Sequence, residues 1–180
     1  MSKNNKNKHT RPQSYSKKVN TQPQVEPKAT QQNAVVAKVT KQLIQSRDQL
    51  RAKHALNAVE SLKNGLDLIA NNKERKSVRD KIKSAISGLP AMIHTNGLGH
   101  AFAFFLSDIK NFPERQRIVE IVFDWLSNES KVFEKANLTP LSAITKTNLQ
   151  TYQIAQQEAQ AYLLWLKKFA RAILTDDKGE

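Results

Sequence analysis

Apolar side chains that recur every three or four residues set the strongest limit on what this chain can form. After residue 50 these side chains fall on one face of a helix. The members of this stripe are Ala52, Ala55, Leu56, Val59, Leu62, Leu66 and Ile69. Because no proline occurs between Pro27 and Pro90, no residue in this region forces a long helix to break. The pattern therefore predicts helix rather than strand.

The residues before this stripe fit the same helix less simply. If the helix is continued towards the N-terminus at about 100° per residue, four more apolar residues fall nearly opposite the stripe. They are Val36, Val39, Leu43 and Leu50. A long helix must then bend near Leu50 or bury its two halves against different surfaces, one of which is a candidate partner surface. A break into two helices inside one domain satisfies the pattern equally well.

Local start and stop signals predict several further helices. The second runs from about Lys73 to Ser87, and we expect it to end at Gly88 because a leucine and Pro90 follow. Asn96-Gly97 predicts a stop or a kink. The helix that resumes at Leu98 is apolar on nearly every side, so we expect it at the centre of the core.

Three more helix starts follow in the second half of the chain. Pro113 opens one helix, Thr139-Pro140 predicts a capped short helix, and the last helix runs from about Asn148 to Leu174. The predicted inward positions are Ile118, Val122, Trp125 and Leu126 in the first of these, and Tyr152, Ala155, Ala159, Tyr162, Leu163, Leu166, Phe169 and Ile173 in the last. Glu158 falls on the last stripe, which predicts a partly buried carboxylate that needs a cationic or hydrogen-bonding partner.

No segment has a convincing strand pattern, and no internal repeat is present. The fold class is therefore all-α, a single compact bundle of about five to seven helices with a disordered basic N-terminal tail. We divide the chain into a disordered basic tail (residues 1–33), an all-helical domain (34–175) and a polar C-terminal end (176–180). The tail contains three of the six prolines and few apolar residues, which is typical of disorder.

Composition and charge exclude several classes of protein. The chain has no cysteine, which rules out disulfide frameworks, thiolate metal sites and cysteine nucleophiles. Its 29 Lys and Arg against 16 Asp and Glu give a net charge of +13, which favours a polyanionic partner such as nucleic acid. The longest apolar run, Ala101 to Leu106, is too short to span a bilayer, so we expect a cytoplasmic protein with no membrane partner. The basic tail either grips phosphates or aids solubility.

Clusters of basic residues on three predicted helices are the candidate RNA-binding residues. Phosphate oxygens are the groups that lysine and arginine bind in nucleic acid. The candidates are Arg47 and Arg51 on the first helix, Lys73, Lys76, Arg79 and Lys83 on the second, and Lys167, Lys168 and Arg171 on the last. The alternative for each is a solvated helix face, with the cations near a helix C-terminus favoured by the helix dipole.

One enzymatic pattern is present in loose form. Arg47 and His54 have the spacing found in HEPN ribonucleases, in which the arginine would stabilise the scissile phosphate and the histidine would assist proton transfer. A spacing this loose arises readily by chance. His94 and His100 have poor metal-ligand geometry, since the only carboxylate near them is Asp108. We therefore expect no catalytic residue, no metal site and no cofactor.

Two segments resemble the signature stretches of a known family, the small subunits of the type III-B CRISPR effector complex, called the Cmr complex. They are LPAMIHTNGLGHAFAFFLSD (Leu89 to Asp108) and TYQIAQQEAQAYLLWLKKFARAI (Thr151 to Ile173). The matching residues are Leu89, Pro90, Met92, Ile93, Asn96, Gly97, Leu98, Ala103 and Phe104 in the first, and Tyr152, Glu158, Ala159, Leu163, Trp165, Leu166, Lys167, Phe169, Ala170 and Ala172 in the second. The resemblance covers about Ala34 to Leu174.

The resemblance implies a non-catalytic helical protein that stacks in several copies along an RNA-guided complex. Its implied partners are guide RNA and target RNA, the CRISPR backbone subunit, the large signature subunit and copies of itself. In such complexes the backbone subunit cleaves the target, and the small subunits help to hold it. Base pairing with the guide would then read the sequence, and the basic residues of this chain would contact the RNA backbone.

Overall fold

The computed structural model describes residues 45–133 and 138–175, and these residues form six α-helices and one π-helical turn. No strand occurs within these ranges. The all-α prediction and the predicted number of helices are confirmed. The disordered tail, the residues before position 45, and the polar end from position 176 lie outside the described residues.

Helix α1 (Arg47–Asp67) begins at a capping box rather than continuing from earlier residues. The Ser46 hydroxyl accepts a hydrogen bond from the Gln49 amide, and the Gln49 side chain accepts one from the Ser46 amide, over 3.2 and 2.7 Å. The predicted stripe is buried at Ala55, Val59, Leu62 and Leu66. Of the alternatives for the first helical segment, the structure supports a helix start just before Leu50.

Helix α2 (Asn72–Asn96) is longer than predicted. Asn71 caps its first turn, and the helix passes through Gly88 and Pro90 without ending, so the predicted end at Gly88 is wrong. Leu89 and Ile93 on both sides of Pro90 are fully buried. Their packing outweighs the single backbone hydrogen bond that the proline removes.

The remaining helices begin where the sequence predicted. Gly97, with φ +83°, separates α2 from α3 (Leu98–Ser107). Pro113 opens α4 (Pro113–Asp124), which continues into a π-helical turn (Trp125–Glu129). Thr139 caps α5 (Pro140–Lys146), and Asn148 caps α6 (Leu149–Ile173). The expectation that α3 lies at the centre of the core holds for its four buried residues but not for its outer face, where Phe104 is 45% exposed.

Helix α6 occupies the centre of the described bundle and buries most of its predicted stripe. Arg51 bonds to Glu158, and Leu66 lies beside the last residues of α6, so α1 runs parallel to α6. The start of α2 instead meets the end of α6, and its C-terminal end lies near Gln156, which makes α2 antiparallel to α6. This arrangement decides which basic residues meet. None of the described helices is long and apolar enough to cross a membrane.

Candidate nucleic-acid interface

The basic residues of α2 and α6 come together at one end of the bundle. Arg79 Nη1 donates to the carbonyl oxygen of Thr175 over 2.9 Å, which joins the first half of α2 to the end of α6. Lys63, from the end of α1, and Arg75 line the same junction. Arg79 itself is only 7% exposed, so its guanidinium serves this junction rather than the surface.

We call the six remaining candidates on these two helices the basic end. They are Lys73, Lys76, Lys83, Lys167, Lys168 and Arg171. Lys83 and Lys167 are half-buried and the other four are exposed. None of the six forms an ion pair with a residue in 45–133 or 138–175. Unpaired cations on two adjoining helices can bind a phosphate backbone.

An aromatic pair holds one of these lysines in position. The ammonium of Lys168 lies 5.0 Å from the centroid of the Trp165 ring, and that ring stacks on Phe169 at 5.6 Å. Trp165 in turn donates its indole N–H to Asp48 on α1 over 2.9 Å. The Lys168 side chain therefore leaves the bundle from a fixed aromatic base, and less of its freedom is lost on binding an anion.

Arg47 and Arg51 lie at the start of α1, beside the Asp48 that accepts from Trp165, and both bind Glu158. Arg51 makes two hydrogen bonds to the carboxylate, 2.7 Å from Nε and 2.8 Å from Nη2, while Arg47 Nε lies 3.2 Å from Oε2. The indole of Trp125 donates to the same carboxylate over 3.0 Å. Arg47 also donates to the carbonyl oxygen of Ser130 over 3.0 Å. Glu158 therefore has the cationic partners that its sequence position predicted.

The electrostatics of this group favour the charged carboxylate. Burial alone would raise the pKa of Glu158. The hydrogen bonds and charge of Arg51, the charge of Arg47 and the hydrogen bond from Trp125 together hold this pKa below its usual value. The same pair raises the pKa of Arg51, because the bond to Glu158 outweighs the effect of burial. The two arginines therefore act as counterions inside the bundle. The sequence analysis had included them among the candidate RNA-binding residues.

His54, the second member of the ribonuclease-like pair, is also held on both sides. Its Nδ1 lies 2.8 Å from the hydroxyl of Tyr162, and its Nε2 lies 2.9 Å from Asp124 Oδ2. Burial would raise the pKa of Asp124, but the bonds from His54 and Asn128 keep it below its usual value. Burial raises the pKa of Tyr162, and the charge of Asp124 adds to the effect. Neither imidazole nitrogen is free for proton transfer to a substrate.

Neither the two histidines considered for metal binding nor the glycine at the end of α2 forms a metal or catalytic site among the described residues. His94 and His100 are both exposed, and no group of three metal-ligating side chains occurs among the described residues. Gly97 is required by its positive φ and by close packing, because a Cβ there would lie 2.8 Å from the Tyr152 hydroxyl oxygen. Nothing in the sequence near His54 identified Asp124 or Tyr162 as its partners, and nothing near Glu158 identified Trp125 as its donor.

Comparison with known proteins agrees with this description. The model of the family described as CRISPR-associated protein (Cas_Cmr5) matches residues 47–173, which include all six described helices. Among solved structures, an X-ray crystal structure of a CRISPR-associated Cmr5 family protein from Thermus thermophilus is similar to 73% of this chain and 100% of its own. The TM-score is 0.52 and the sequence identity is 21%, a likeness that concerns the fold. The match to the family model covers most of the chain, and the chain therefore belongs to the Cmr5 family, the small subunits of the Cmr complex.

Proposed function

We propose that this protein is a non-catalytic small subunit of a type III-B CRISPR guide-RNA ribonucleoprotein, and that its basic end holds the backbone of target RNA. Family membership supports the place in the complex. The observation that carries the RNA contact is the set of six cations where α2 meets α6, none of which has an ion pair among the described residues. The partners that follow are guide and target RNA, the backbone subunit, the large signature subunit and further copies of this chain in the cytoplasm.

Three of the nine basic residues suggested by the sequence are left out of this proposed contact. Arg51 and Arg79 are mostly buried against partners within the bundle, and Arg47 joins Arg51 on Glu158. Moving Arg51 or Arg79 to a phosphate would remove a donor from the Glu158 carboxylate or the Thr175 carbonyl oxygen, and moving Arg47 would remove one from the Ser130 carbonyl oxygen. We propose that they stabilise the bundle.

The test is the salt dependence of RNA binding by the full-length chain and by the assembled complex. For single strands, each phosphate contact contributes about −0.7 to the slope of log K against log salt concentration. Reversing two charges with Lys73→Glu and Lys76→Glu should weaken binding of a fluorescein-labelled RNA of about 20 nucleotides and make this slope shallower by about 1.4. Fluorescence anisotropy from about 50 to about 300 mM salt measures both quantities.

A matched control separates a specific surface from bulk charge. Lys53→Glu with Lys146→Glu changes the net charge equally, and both lysines are exposed on helices α1 and α5, away from the basic end. This control should leave the slope close to that of the native chain. Equal losses in the two double variants would contradict a defined interface, and binding that does not respond to salt would contradict phosphate contacts altogether.

The geometry opposes the ribonuclease alternative. Arg47 is bound to Glu158, and His54 is bound to Asp124 and Tyr162, so each side chain already has partners within the bundle. We expect single-stranded RNA incubated with the protein in EDTA to stay intact. Cleavage that disappears in a His54→Ala variant would overturn the non-catalytic assignment.

A further inference from the structure

A small groove between α2 and the α3–α4 pair combines aromatic walls with charged groups. Its volume is about 240 Å³, and Phe104, Phe105 and Phe112 supply the rings. Gly88 of α2 forms part of the wall, and a Cβ built there would meet no atom within 4 Å. The groove therefore has open space beside aromatic surface, and Phe104 is 45% exposed.

A glutamate that is mostly buried, and whose carboxylate has no partner among the described residues, lines this groove. Glu114, the second residue of α4, is 9% exposed and lines the groove. Its side chain makes no hydrogen bond or ion pair with any residue in the two described ranges. Among the described residues, the Glu114 oxygens are not buried atoms that lack a partner, so they contact the solvent of the groove. The groove therefore presents acceptor oxygens at which a ligand with N–H donors can replace water.

The rim of the groove is cationic. The guanidinium of Arg115 lies over the Phe112 ring at 4.0 Å and near Phe104 and Phe105 at 5.4 and 5.6 Å. Within the described ranges its side chain forms no ion pair, so its N–H donors are available to a ligand. Lys81 is exposed on the opposite wall. The combination is an acceptor inside, aromatic faces at the sides and positive charge outside.

This combination distinguishes three kinds of ligand. A basic peptide would satisfy Glu114 but would be repelled by Lys81 and Arg115. An acidic peptide would satisfy the rim but would bring its own carboxylates next to Glu114, which repels them. A nucleotide satisfies both, because its base carries N–H donors and stacks on aromatic rings while its phosphate is anionic.

We propose that this groove binds one unpaired nucleotide of RNA and prefers guanine. Guanine presents two adjacent donors, N1–H and N2–H, which match the two oxygens of one carboxylate as a bidentate pair. Uracil presents one N–H between two carbonyl oxygens, and those oxygens repel the carboxylate. Adenine and cytosine each offer an amino donor beside an acceptor. Guanine is therefore the base that Glu114 satisfies best.

This site rests on the proposed function, because it extends the RNA contact proposed there. Lys81 lies a little over two helical turns after Lys73 on α2, a distance of about 12 Å along the helix axis. A single strand lying along α2 would pass from the basic end to the groove within a few nucleotides. The lysines would hold its backbone, and the groove would take one base.

The test compares two labelled RNA probes on the full-length chain at low salt, heptauridylate and the same heptamer with guanine at its centre. The guanine probe should bind at least about fivefold more tightly, since a good bidentate pair between a side chain and a base discriminates between bases by at least this factor. Glu114→Gln should remove the preference, because an amide cannot accept both donors. Gly88→Leu should also remove it, because leucine fills the open space without backbone strain. Glu60→Gln, at an exposed position on α1, is the control and should leave the preference unchanged.

The outcomes separate this site from the proposed function. If both probes bind with steep salt dependence and equal affinity, the groove site is refuted and the phosphate contact stands. A preference for guanine that persists in both Glu114→Gln and Gly88→Leu also refutes it. If neither probe binds at low salt, the proposed RNA contact fails, and the groove site fails with it. Circular dichroism of each variant verifies that a lost preference does not come from unfolding.

Discussion

Replacing Glu158 with alanine should lower the free energy of unfolding by about 3–5 kcal/mol, the cost of breaking a buried ion pair from one side. The carboxylate is 8% exposed and the Arg51 side chain 17% exposed, so neither is well solvated. In the variant Arg51 keeps only the 3.5 Å contact to Asp48. Its guanidinium would then remain inside the bundle without its main counterion.

The partners of Glu158 contribute unequally to this loss of unfolding free energy. Trp125 is 1% exposed, and its indole N–H would be left without an acceptor, which costs about 1–3 kcal/mol. Arg47 is 53% exposed and returns to solvent, so its share is at most about 1 kcal/mol. Most of the loss therefore comes from Arg51 and Trp125. Glu158→Gln should be milder, because its carbonyl still accepts one hydrogen bond.

Urea unfolding followed by circular dichroism measures the change, with m-values compared to verify two-state behaviour. Glu60→Ala is the matched control, because Glu60 is exposed on α1, and it should change stability by less than about 0.5 kcal/mol. The pair Arg51→Met and Glu158→Leu, made together, should be more stable than Glu158→Ala alone, since no uncompensated charge remains.

Two results would refute this reasoning. A Glu158→Ala variant within about 1 kcal/mol of the native chain would mean that the pair adds little to stability. Additive effects of the Arg51 and Glu158 substitutions would mean that the two side chains are not coupled. If Arg51→Met instead weakened RNA binding without changing stability, Arg51 would belong to the RNA contact after all.

Acid titration and two single substitutions test other parts of the bundle. The pKa values of Asp124 and Glu158 lie below their usual 3.8 and 4.5. Their contribution to stability should therefore be complete above about pH 4.5 and should decline as the pH falls through the folded-state pKa values. Urea midpoints measured between about pH 7 and about pH 3 test this, and Glu158→Gln should make the decline smaller. Gly97→Ala should cost about 1–3 kcal/mol in thermal unfolding, because φ is +83° and the new Cβ would meet the Tyr152 hydroxyl, and an unchanged melting temperature would contradict it. Pro90→Ala should raise stability by about 1–3 kcal/mol, because it restores a helix hydrogen bond, and a lower melting temperature would show that the proline is needed.

Helix starts were predictable from sequence because they depend on local chemistry. Thr139 and Asn148 cap their helices through side-chain oxygens, and Pro113 occupies the first turn of α4, as expected. The end of α2 was not predictable in this way. Gly88 and Pro90 are both stop signals locally, but the burial of neighbouring side chains against α6 and α4 continues the helix. Tertiary packing therefore outweighs the local preference of proline against a helix interior, which amounts to about 3 kcal/mol.

The polar contacts of the bundle were half predictable. A carboxylate on a buried stripe requires a cation, and this need of Glu158 was visible in the sequence. The identity of the cation was not, because Arg51 lies 107 residues away and reaches Glu158 only through the parallel packing of α1 on α6. For the same reason the sequence could not show which cations are paired inside the bundle and which remain available at its surface.

The contrast between two mostly buried glutamates supports the proposed ligand. Glu158 and Glu114 have similar residue exposures, 7% and 9%, but the Glu114 carboxylate reaches the solvent of the groove. The bundle supplies Glu158 with two arginines and an indole, whereas Glu114 receives no donor from the described residues. Arg115, the adjacent residue, is stacked on Phe112 instead of pairing with it. A fold that satisfies one buried carboxylate fully and leaves another open beside cations and aromatic rings has the composition expected of a binding site.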